Sequence, residues 1–150
     1  MIDLGDYKLY PISELEMDDI SFLESINDEE SKKFSMERII KQKISGDSKK
    51  LEKGYLVKEN DLNVGYASLS NIKKNGDVVI SFAIHKEVRK KRLATKLVGS
   101  ISAYALNMDL SKGVVGYVDV KNEASKNVLR YNGFEYISTI SNIEIYRKKG

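Results

Sequence analysis

The stretch from Asp77 to Leu106, DVVISFAIHKEVRKKRLATKLVGSISAYAL, decides the fold. It is almost continuously apolar from Val78 to Ile84, as expected of a strand that is covered on both faces. From Leu93 onward, apolar residues recur about every four positions, which predicts an amphipathic helix. The predicted apolar face consists of Leu93, Ala94, Leu97, Val98, Ile101, Tyr104 and Ala105. The sequence therefore predicts a buried strand, a short basic turn and a long helix, in that order.

Four cations, Arg89, Lys90, Lys91 and Arg92, stand between the strand and the helix. A helix N-terminus exposes N–H groups and carries partial positive charge, so each cation in the first turn costs roughly 0.3–1 kcal/mol. The same helix end attracts anions, and phosphate is the usual one. The alternative is a run of charges that simply faces solvent. The order of strand, turn and helix favours the anion, because ligands of such sheets lie at the carboxyl ends of strands.

The rest of the chain alternates between strand and helix patterns. We expect a first strand over residues 7–12, a helix that Ser13 or Asp18 caps and that ends at Ile26, a second helix over residues 29–44, a hairpin over residues 55–69, a turn at Asn75-Gly76, a strand from Gly113, a helix from Asn122 to Gly133, and a final hairpin over residues 134–146. Because a helix separates the strand at Val78 from the strand at Gly113, these two strands should be parallel and joined by a right-handed crossover. Candidates for the apolar faces are Leu15, Ile20, Leu23 and Ile26 in the first helix, and Ala124, Val128 and Leu129 in the last.

The composition indicates one globular domain over residues 1–150. Hydrophobic residues make up 41% of the chain and charged residues 31%, which excludes a disordered or fibrous protein. There is no cysteine and one histidine, which argues against disulfides, a thiol nucleophile and a metal site. No apolar run reaches the length of a membrane helix, and the first residues lack the layout of a signal peptide. We therefore expect a cytoplasmic protein that does not bind membranes.

The basic turn resembles the cofactor-binding segment of the GNAT superfamily of N-acetyltransferases. The motif of that family is Arg or Gln, two residues, Gly, one residue, then Gly or Ala, at the start of a helix that follows a central strand. Arg89, Arg92 and Ala94 stand at these three places, with Arg92 at the place of the first glycine. The resemblance implies that the pyrophosphate of acetyl-CoA is held by Arg89, Lys90, Lys91, Arg92, Leu93, Ala94 and Thr95.

A second segment resembles another motif of the same family, Asn, two residues, Ser or Ala, and later Gly-Phe. Here these residues are Asn122, Ser125 and Gly133-Phe134. With serine at this place, the segment is most similar to the branch that includes the ribosomal-protein N-terminal acetyltransferases. Many members carry a tyrosine as general acid at the place of Leu129. Together the two motifs span roughly residues 78–134.

The resemblance also implies a fold and the remaining site residues. The fold would be a single α/β domain with a central, mostly antiparallel sheet, a parallel pair of strands splayed at the cofactor site, and about four flanking helices. The backbone of Phe82, Ala83 and Ile84 would bind the pantetheine arm. Asn122 would contact that arm or order a water molecule, and Ser125 would donate a hydrogen bond to the departing sulfur.

No general base is evident in the sequence. The place of the family's common glutamate is taken by Val79, and His85 stands at the strand exit, where a turn residue is expected. A water chain, or an amine that is already deprotonated, would then serve. A Ser-His hydrolase is excluded, because no Gly-x-Ser-x-Gly turn is present.

The sequence therefore predicts an N-acetyltransferase that moves the acetyl group of acetyl-CoA directly to a primary amine of a small molecule, a protein N-terminus or a lysine. One alternative is a CoA-binding protein with lost or altered catalysis, which Arg92, Leu129 and Val79 suggest. The other is a basic RNA- or ribosome-binding module, but a net charge of +3, and basic residues between Lys32 and Lys53 without interleaved aromatic residues, disfavour nucleic acid. A homodimer stays open, and the sequence does not name the acceptor.

Overall fold

A computed structural model describes residues 1–26, 54–72, 76–85, 92–108 and 111–150. The strands are β1 (Ile2–Asp3), β2 (Tyr7–Pro11), β3 (Gly54–Glu59), β4 (Leu62–Ile72), β5 (Asp77–Ile84), β6 (Gly113–Asp119), β7 (Glu135–Ile140) and β8 (Ile143–Lys149). The helices of these residues are α1 (Met17–Ile26), α2 (Leu93–Leu106) and α3 (Glu123–Tyr131), with a 3-10 turn over Ile12–Glu14. The second predicted helix, over residues 29–44, and the cations Arg89, Lys90 and Lys91 lie outside the described residues.

The strands form an eight-stranded sheet in the order β1-β2-β3-β4-β5-β6-β8-β7. The pairs β1–β2, β2–β3, β3–β4, β6–β8 and β7–β8 are antiparallel. Strands β5 and β6 are parallel, with Asp77 opposite Gly113 and Ile80 opposite Gly116. Both strands continue beyond this paired segment. The predicted α/β fold, with a mostly antiparallel sheet and a parallel pair on either side of a helix, is confirmed.

The chain divides into two compact units. The first comprises Met1–Ser68 and Phe82–Arg89, and the second comprises Leu69–Ser81 and Lys90–Gly150. In the first unit, α1 and the neighbouring strands enclose a core of Ile12, Ile20, Leu23, Ile26, Leu56, Tyr66 and Ala83. Burial of each large apolar side chain stabilises the fold by about 1.5–3 kcal/mol. The predicted apolar positions Ile20, Leu23 and Ile26 are therefore confirmed.

The first helix begins between the starts that the two predicted caps imply. After the 3-10 turn over Ile12–Glu14, Leu15 is extended, with φ −81° and ψ 150°, and α1 starts at Met17. The prediction that Ser13 or Asp18 caps this helix is wrong, because Ser13 lies in the 3-10 turn and Asp18 is already helical. As an acidic residue of the first turn, Asp18 complements the helix dipole instead.

The turns that the sequence predicts between β3, β4 and β5 contain residues in the left-handed backbone conformation. Asn60 and Asp61 have φ of 50° and 65° between β3 and β4, which their short polar side chains tolerate. The predicted hairpin of these two strands is confirmed. Gly76 has φ of 80° directly before β5, whereas Asn75, the other half of the predicted turn, lies outside the described residues.

In the second unit, α2 buries the predicted face except for Tyr104 and the half-buried Ala94. Its buried residues are Leu93, Leu97, Val98, Ile101, Ser102 and Ala105. The prediction that Tyr104 belongs to this face is wrong, because Tyr104 is 38% exposed. Ser102 lies on the buried stripe instead, since it follows Val98 by four residues, and its hydroxyl donates to the Gly99 carbonyl at 3.1 Å.

Helix α3 buries a more polar face than the sequence predicts. Leu129 is buried, as predicted, but Ala124 is exposed and Lys126 is buried. Lys126 and Leu129 are three residues apart and therefore lie on one side of the helix. The ammonium group of Lys126 tolerates burial because the carboxylates of Glu123 and Glu144 lie 3.2 Å and 3.0 Å away.

Candidate functional site

Helix α2 begins at a cation rather than at a capping side chain. Arg92 is its N-cap, and its backbone is left-handed, with φ 69° and ψ 6°. Among the described residues, the Arg92 side chain makes no capping hydrogen bond, and the first turn contains no acidic residue. A left-handed backbone favours glycine, which is the residue that the motif has at this place. Arg92 adopts this backbone although it is not glycine, and no acidic side chain of the first turn offsets the positive end of the helix dipole.

The guanidinium of Arg92 lies against an aromatic ring from the end of α3. Its Cζ atom is 5.9 Å from the centre of the Tyr131 ring, within the range of a cation–π interaction. Tyr131 is 68% exposed, and Arg92 is exposed as well. Arg92 therefore lies at the surface of the second unit, and Ala94 and Thr95 of the first turn of α2 are half-buried.

Helix α3 begins with the cap that the sequence predicts. The Asn122 Oδ1 atom accepts a hydrogen bond of 3.1 Å from the backbone N–H of Ser125, and the Asn122 N–H donates to the Asp119 carbonyl at 2.9 Å. Glu123 adds an acidic group to the first turn, which complements the dipole. Asn122 and Ser125 are both half-buried. The Ser125 side chain takes no part in this cap, so its hydroxyl can serve another purpose.

The other end of α3 is closed by its own backbone. The Phe134 N–H donates to the Leu129 carbonyl at 3.0 Å, and the Gly133 N–H donates to the Arg130 carbonyl at 3.0 Å. This pair of bonds is a Schellman motif, which requires a left-handed residue after the helix. Gly133 supplies it, with φ of 86°. The predicted stop of the helix at Gly133 is confirmed.

The end of β5, in the first unit, carries the three residues predicted to bind pantetheine. Ala83 and Ile84 are buried and Phe82 is half-buried. The Ala83 carbonyl approaches Gly65 of β4 so closely that a Cβ atom at residue 65 would collide with it. Gly65 therefore leaves the space that the Ala83 carbonyl occupies.

The single histidine packs directly after β5. The His85 ring stacks on Phe22 of α1, with 5.2 Å between ring centres, and its N–H donates to the Val64 carbonyl at 2.9 Å. The residue is 8% exposed. These contacts pack His85 against α1 and β4 at the exit of β5.

Leu129, which stands where the resemblance puts the family's tyrosine, lies in the core of the second unit. Leu129 is 1% exposed, and a Cβ atom at Gly116 of β6 would lie 3.0 Å from a methyl carbon of Leu129. The leucine is therefore packed directly on the backbone of β6. A phenol at this position would need space that Leu129 and Gly116 now fill.

A polar cluster that the sequence does not reveal joins α3 to β8. The Glu144 carboxylate accepts hydrogen bonds from the Tyr146 hydroxyl at 2.7 Å and from the Lys126 ammonium at 3.0 Å, and both bonds lower the pKa of Glu144. The bond to Glu144 raises the pKa of Lys126. Arg130 donates to the Tyr146 hydroxyl at 3.1 Å. No sequence signal identifies this cluster, because its members come from separate elements.

The described residues contain neither a cluster of metal ligands nor a membrane-spanning helix. No group of three or more His, Asp or Glu side chains in the described ranges could hold a metal ion. No helix of the same ranges is long and apolar enough to cross a membrane.

A family model described as an acetyltransferase (GNAT) domain matches residues 9–135, which is most of the chain. The chain belongs to the GNAT superfamily of acetyltransferases. It is an acyl-CoA-dependent N-acetyltransferase that uses acetyl-CoA as co-substrate. No curated protein matches the sequence.

Several solved acetyltransferase structures share the fold of this enzyme. The N-acetyltransferase PseH of Campylobacter jejuni, solved with acetyl coenzyme A, aligns with a TM-score of 0.71 and 18% identity over 95% of this chain and 98% of PseH. A GNAT-family acetyltransferase of Bacillus anthracis aligns with a TM-score of 0.74 and 11% identity over 97% and 95% of the two chains. A mutant of the spermidine N-acetyltransferase SpeG of Vibrio cholerae aligns with a TM-score of 0.73 and 14% identity over 96% and 94%. At these identities the likeness shows the fold alone.

Proposed function

We propose that this GNAT enzyme, as a single domain over residues 1–150, transfers the acetyl group of acetyl-CoA directly to a primary amine. The observation that carries the proposal is the start of α2. A cation occupies the N-cap in left-handed backbone, at the place where the motif has glycine, and the first turn has no acidic residue. An anion at this end would offset the repulsion between the cation and the helix dipole, and acetyl-CoA brings a diphosphate.

The residues assigned to the cofactor fall into two sets. The N–H groups and cations of the basic turn would hold the diphosphate, and this set consists of Arg89, Lys90, Lys91, Arg92, Leu93, Ala94 and Thr95. The backbone of Phe82, Ala83 and Ile84 would hydrogen-bond the pantetheine arm. The second assignment rests on the resemblance to the family.

The residues assigned to chemistry lie at the start of α3. The amine attacks the thioester carbon, the carbon–sulfur bond breaks, the amine loses a proton to water, and the thiolate gains one. Ser125 would donate a hydrogen bond to the departing sulfur, which stabilises the developing charge. Asn122 uses its Oδ1 atom as a cap, so its Nδ2 group is the part assigned to pantetheine or to an ordered water.

The acceptor that we propose is a primary amine of a small molecule, a protein N-terminus or a lysine. Ser125 at its motif place supports a protein N-terminus, by its similarity to the ribosomal-protein N-terminal acetyltransferase branch. The likeness to SpeG, which is described as a spermidine N-acetyltransferase, adds polyamines to the set. The proposal needs no metal, and either a monomer or a homodimer is compatible with it.

Thermal shift with acetyl-CoA tests cofactor binding. A ligand at about 100 times its dissociation constant adds roughly 2.7 kcal/mol of stability, so the melting temperature should rise clearly. Ala94→Asp should abolish the shift, because it places a carboxylate in the first turn of α2, while circular dichroism stays near the parent. Ala103→Asp, on the exposed part of the same helix, is the matched control and should keep the shift. A shift with RNA and none with millimolar acetyl-CoA would refute the proposal.

Release of free thiol from acetyl-CoA, with peptides, lysine and polyamines offered separately, tests transfer and identifies the acceptor. Turnover that depends on the amine is the expected result. The second candidate function, CoA binding with altered catalysis, draws support from Leu129, which packs on Gly116 at the tyrosine place. A clear thermal shift with no thiol release for any amine would favour that candidate.

A further inference from the structure

One amide side chain joins the end of α3 to the start of α2. The Nδ2 group of Asn132, the residue after α3, donates to the Thr95 carbonyl at 3.0 Å and to the Val128 carbonyl at 2.9 Å. Thr95 is the third residue of α2, and Asn132 is half-buried. Because an amide NH2 has two hydrogens to donate, Asn132 uses both of them on two different helices.

A glycine in α2 makes room for this amide. Gly99 lies one turn after Thr95, and a Cβ atom at residue 99 would lie 2.9 Å from the Asn132 Oδ1 atom. Glycine inside a helix costs roughly 0.5–1 kcal/mol relative to alanine. The close approach of Asn132 gives a physical reason for that glycine, since any larger residue would push the amide away from Thr95.

The neighbouring residue holds the adjacent part of the same turn. Tyr131, the last residue of α3, places its ring 5.9 Å from the Arg92 guanidinium carbon. Tyr131 therefore contacts the N-cap of α2, and the next residue, Asn132, contacts its first turn. The buried face of α2 anchors the body of the helix through Leu97 and Ile101. The contacts from Tyr131 and Asn132 act on the first turn, where Arg92 supplies no side-chain cap.

We infer that Asn132 is a positioning residue for acetyl-CoA, which sets the orientation of the first turn of α2 so that its N–H groups meet the diphosphate. The inference rests on the proposed function, because it assumes that the diphosphate binds at this turn. Asn132 itself does not touch the cofactor. It acts through the Thr95 carbonyl, whose position fixes the peptide groups beside it.

Asn132→Ala should raise the dissociation constant for acetyl-CoA by roughly 3- to 10-fold, the range that one lost hydrogen bond produces. The measurement is isothermal titration calorimetry well below the melting temperature. S-acetylpantetheine, which lacks the diphosphate, should bind parent and variant equally in an NMR titration. A purely structural role for Asn132 would change the melting temperature and leave the acetyl-CoA dissociation constant unchanged.

Two further variants test the same contact from the other side. Gly99→Ala should weaken acetyl-CoA to a similar degree, because its methyl group displaces the amide of Asn132. The double variant Gly99→Ala/Asn132→Ala should bind no more weakly than Asn132→Ala, since residues in contact are not additive. Asn127→Ala is the matched control, because Asn127 is an exposed amide of α3 whose Oδ1 atom accepts a hydrogen bond from Arg130 of the same helix.

The outcomes separate this inference from the proposed function. If the parent binds S-acetylpantetheine as tightly as acetyl-CoA, the diphosphate contributes nothing to binding. That result would refute the proposed assignment of the basic turn. A parent that prefers acetyl-CoA, with an Asn132→Ala variant that keeps the same preference, would overturn the inference alone. Equal weakening by Asn127→Ala would also overturn it.

Discussion

The two helices of the second unit begin in opposite ways. Helix α3 starts with an Asn122 cap and an acidic Glu123, and it ends with Arg130 in the last turn and a Schellman motif at Gly133. Helix α2 starts with a cation in left-handed backbone and has no acidic residue in its first turn. Local sequence thus satisfies both ends of α3. The start of α2 depends on contacts from elsewhere in the fold and, in the proposed function, on an anionic ligand.

The ends of α3 contribute to the stability of the helix, whereas the start of α2 does not. Caps and charges that suit the dipole each contribute about 0.5–1 kcal/mol to a helix, and α3 has them. Helix α2 lacks them, although it is the longer helix and has the more apolar buried face. An unsatisfied helix end is a ready anion site, so the deficit of α2 supports the proposed assignment of its first turn to the diphosphate.

The largest expected effect comes from truncating the buried leucine of each helix, not from changing a helix end. Leu129→Ala and Leu97→Ala should each lower the free energy of unfolding by about 2–5 kcal/mol, because both side chains are buried and leave a cavity. Urea denaturation measures both. Similar losses would show that the helices differ at their ends and not in their anchoring. A loss below about 1 kcal/mol for either variant would break the comparison.

Ser125→Ala should lower turnover about tenfold, equivalent to about 1.4 kcal/mol, with acetyl-CoA affinity little changed. The Ser125 backbone N–H, not its hydroxyl, donates to the Asn122 cap, so the variant should retain the stability of α3. Steady-state kinetics with an acceptor from the amine screen provide the measurement. Unchanged turnover would mean that the departing thiolate takes its proton from water.

Asn122→Ala should lower the free energy of unfolding by about 1 kcal/mol, because the Ser125 N–H loses its acceptor. Asn122→Asp keeps an acceptor at the cap and should retain most of the stability. Thermal and urea denaturation of the two variants give the difference. If Asn122→Ala proves as stable as Asn122→Asp, then α3 does not depend on its cap, and the contrast with α2 disappears.

The sequence predicts elements where one local pattern decides the outcome. The four-residue spacing in α2 identifies Leu93, Leu97, Ile101 and Ala105, and all four are buried. The cap at Asn122 is likewise predicted, because capping needs one side chain and the backbone three residues later. Such features depend on neighbours within one helical turn.

The parts that the sequence misses depend on residues far apart in the chain. The burial of Lys126 follows from Glu144 on β8, and the junction of the two helices follows from Asn132, which is 37 residues from Thr95. The left-handed backbone of Arg92 is a similar case, because arginine has no local preference for it. The resemblance to the family motif puts glycine at the place of Arg92, but the residue type alone gives no sign of a left-handed backbone.

Arg92→Gly and Arg92→Ala separate the backbone of the N-cap from its side chain. Both variants lose the contact with Tyr131, but glycine adopts left-handed backbone freely, whereas alanine pays a penalty of about 1 kcal/mol there. Arg92→Gly should therefore be the more stable of the two by about that amount, measured by thermal denaturation without ligand. Equal stability would show that the first turn rearranges when the arginine is removed.

The smallest expected effect concerns stability at acid pH. Helix α3 is held to β8 by the ion pair of Lys126 and Glu144, whereas the buried face of α2 has no charged residue. Hydrogen bonds from Tyr146 and Lys126 hold the pKa of Glu144 below its ordinary value of 4.5. A carboxyl with a lowered folded pKa contributes stability above its unfolded pKa, and this contribution is lost as the pH falls through the folded value. Urea midpoints should therefore fall below about pH 4.5 in the parent and less steeply in Glu144→Gln. Glu123→Gln is the control, because Glu123 is 68% exposed at its side chain and leaves the Tyr146 bond intact. Parallel acid profiles for the parent and Glu144→Gln would show that this carboxylate does not anchor α3.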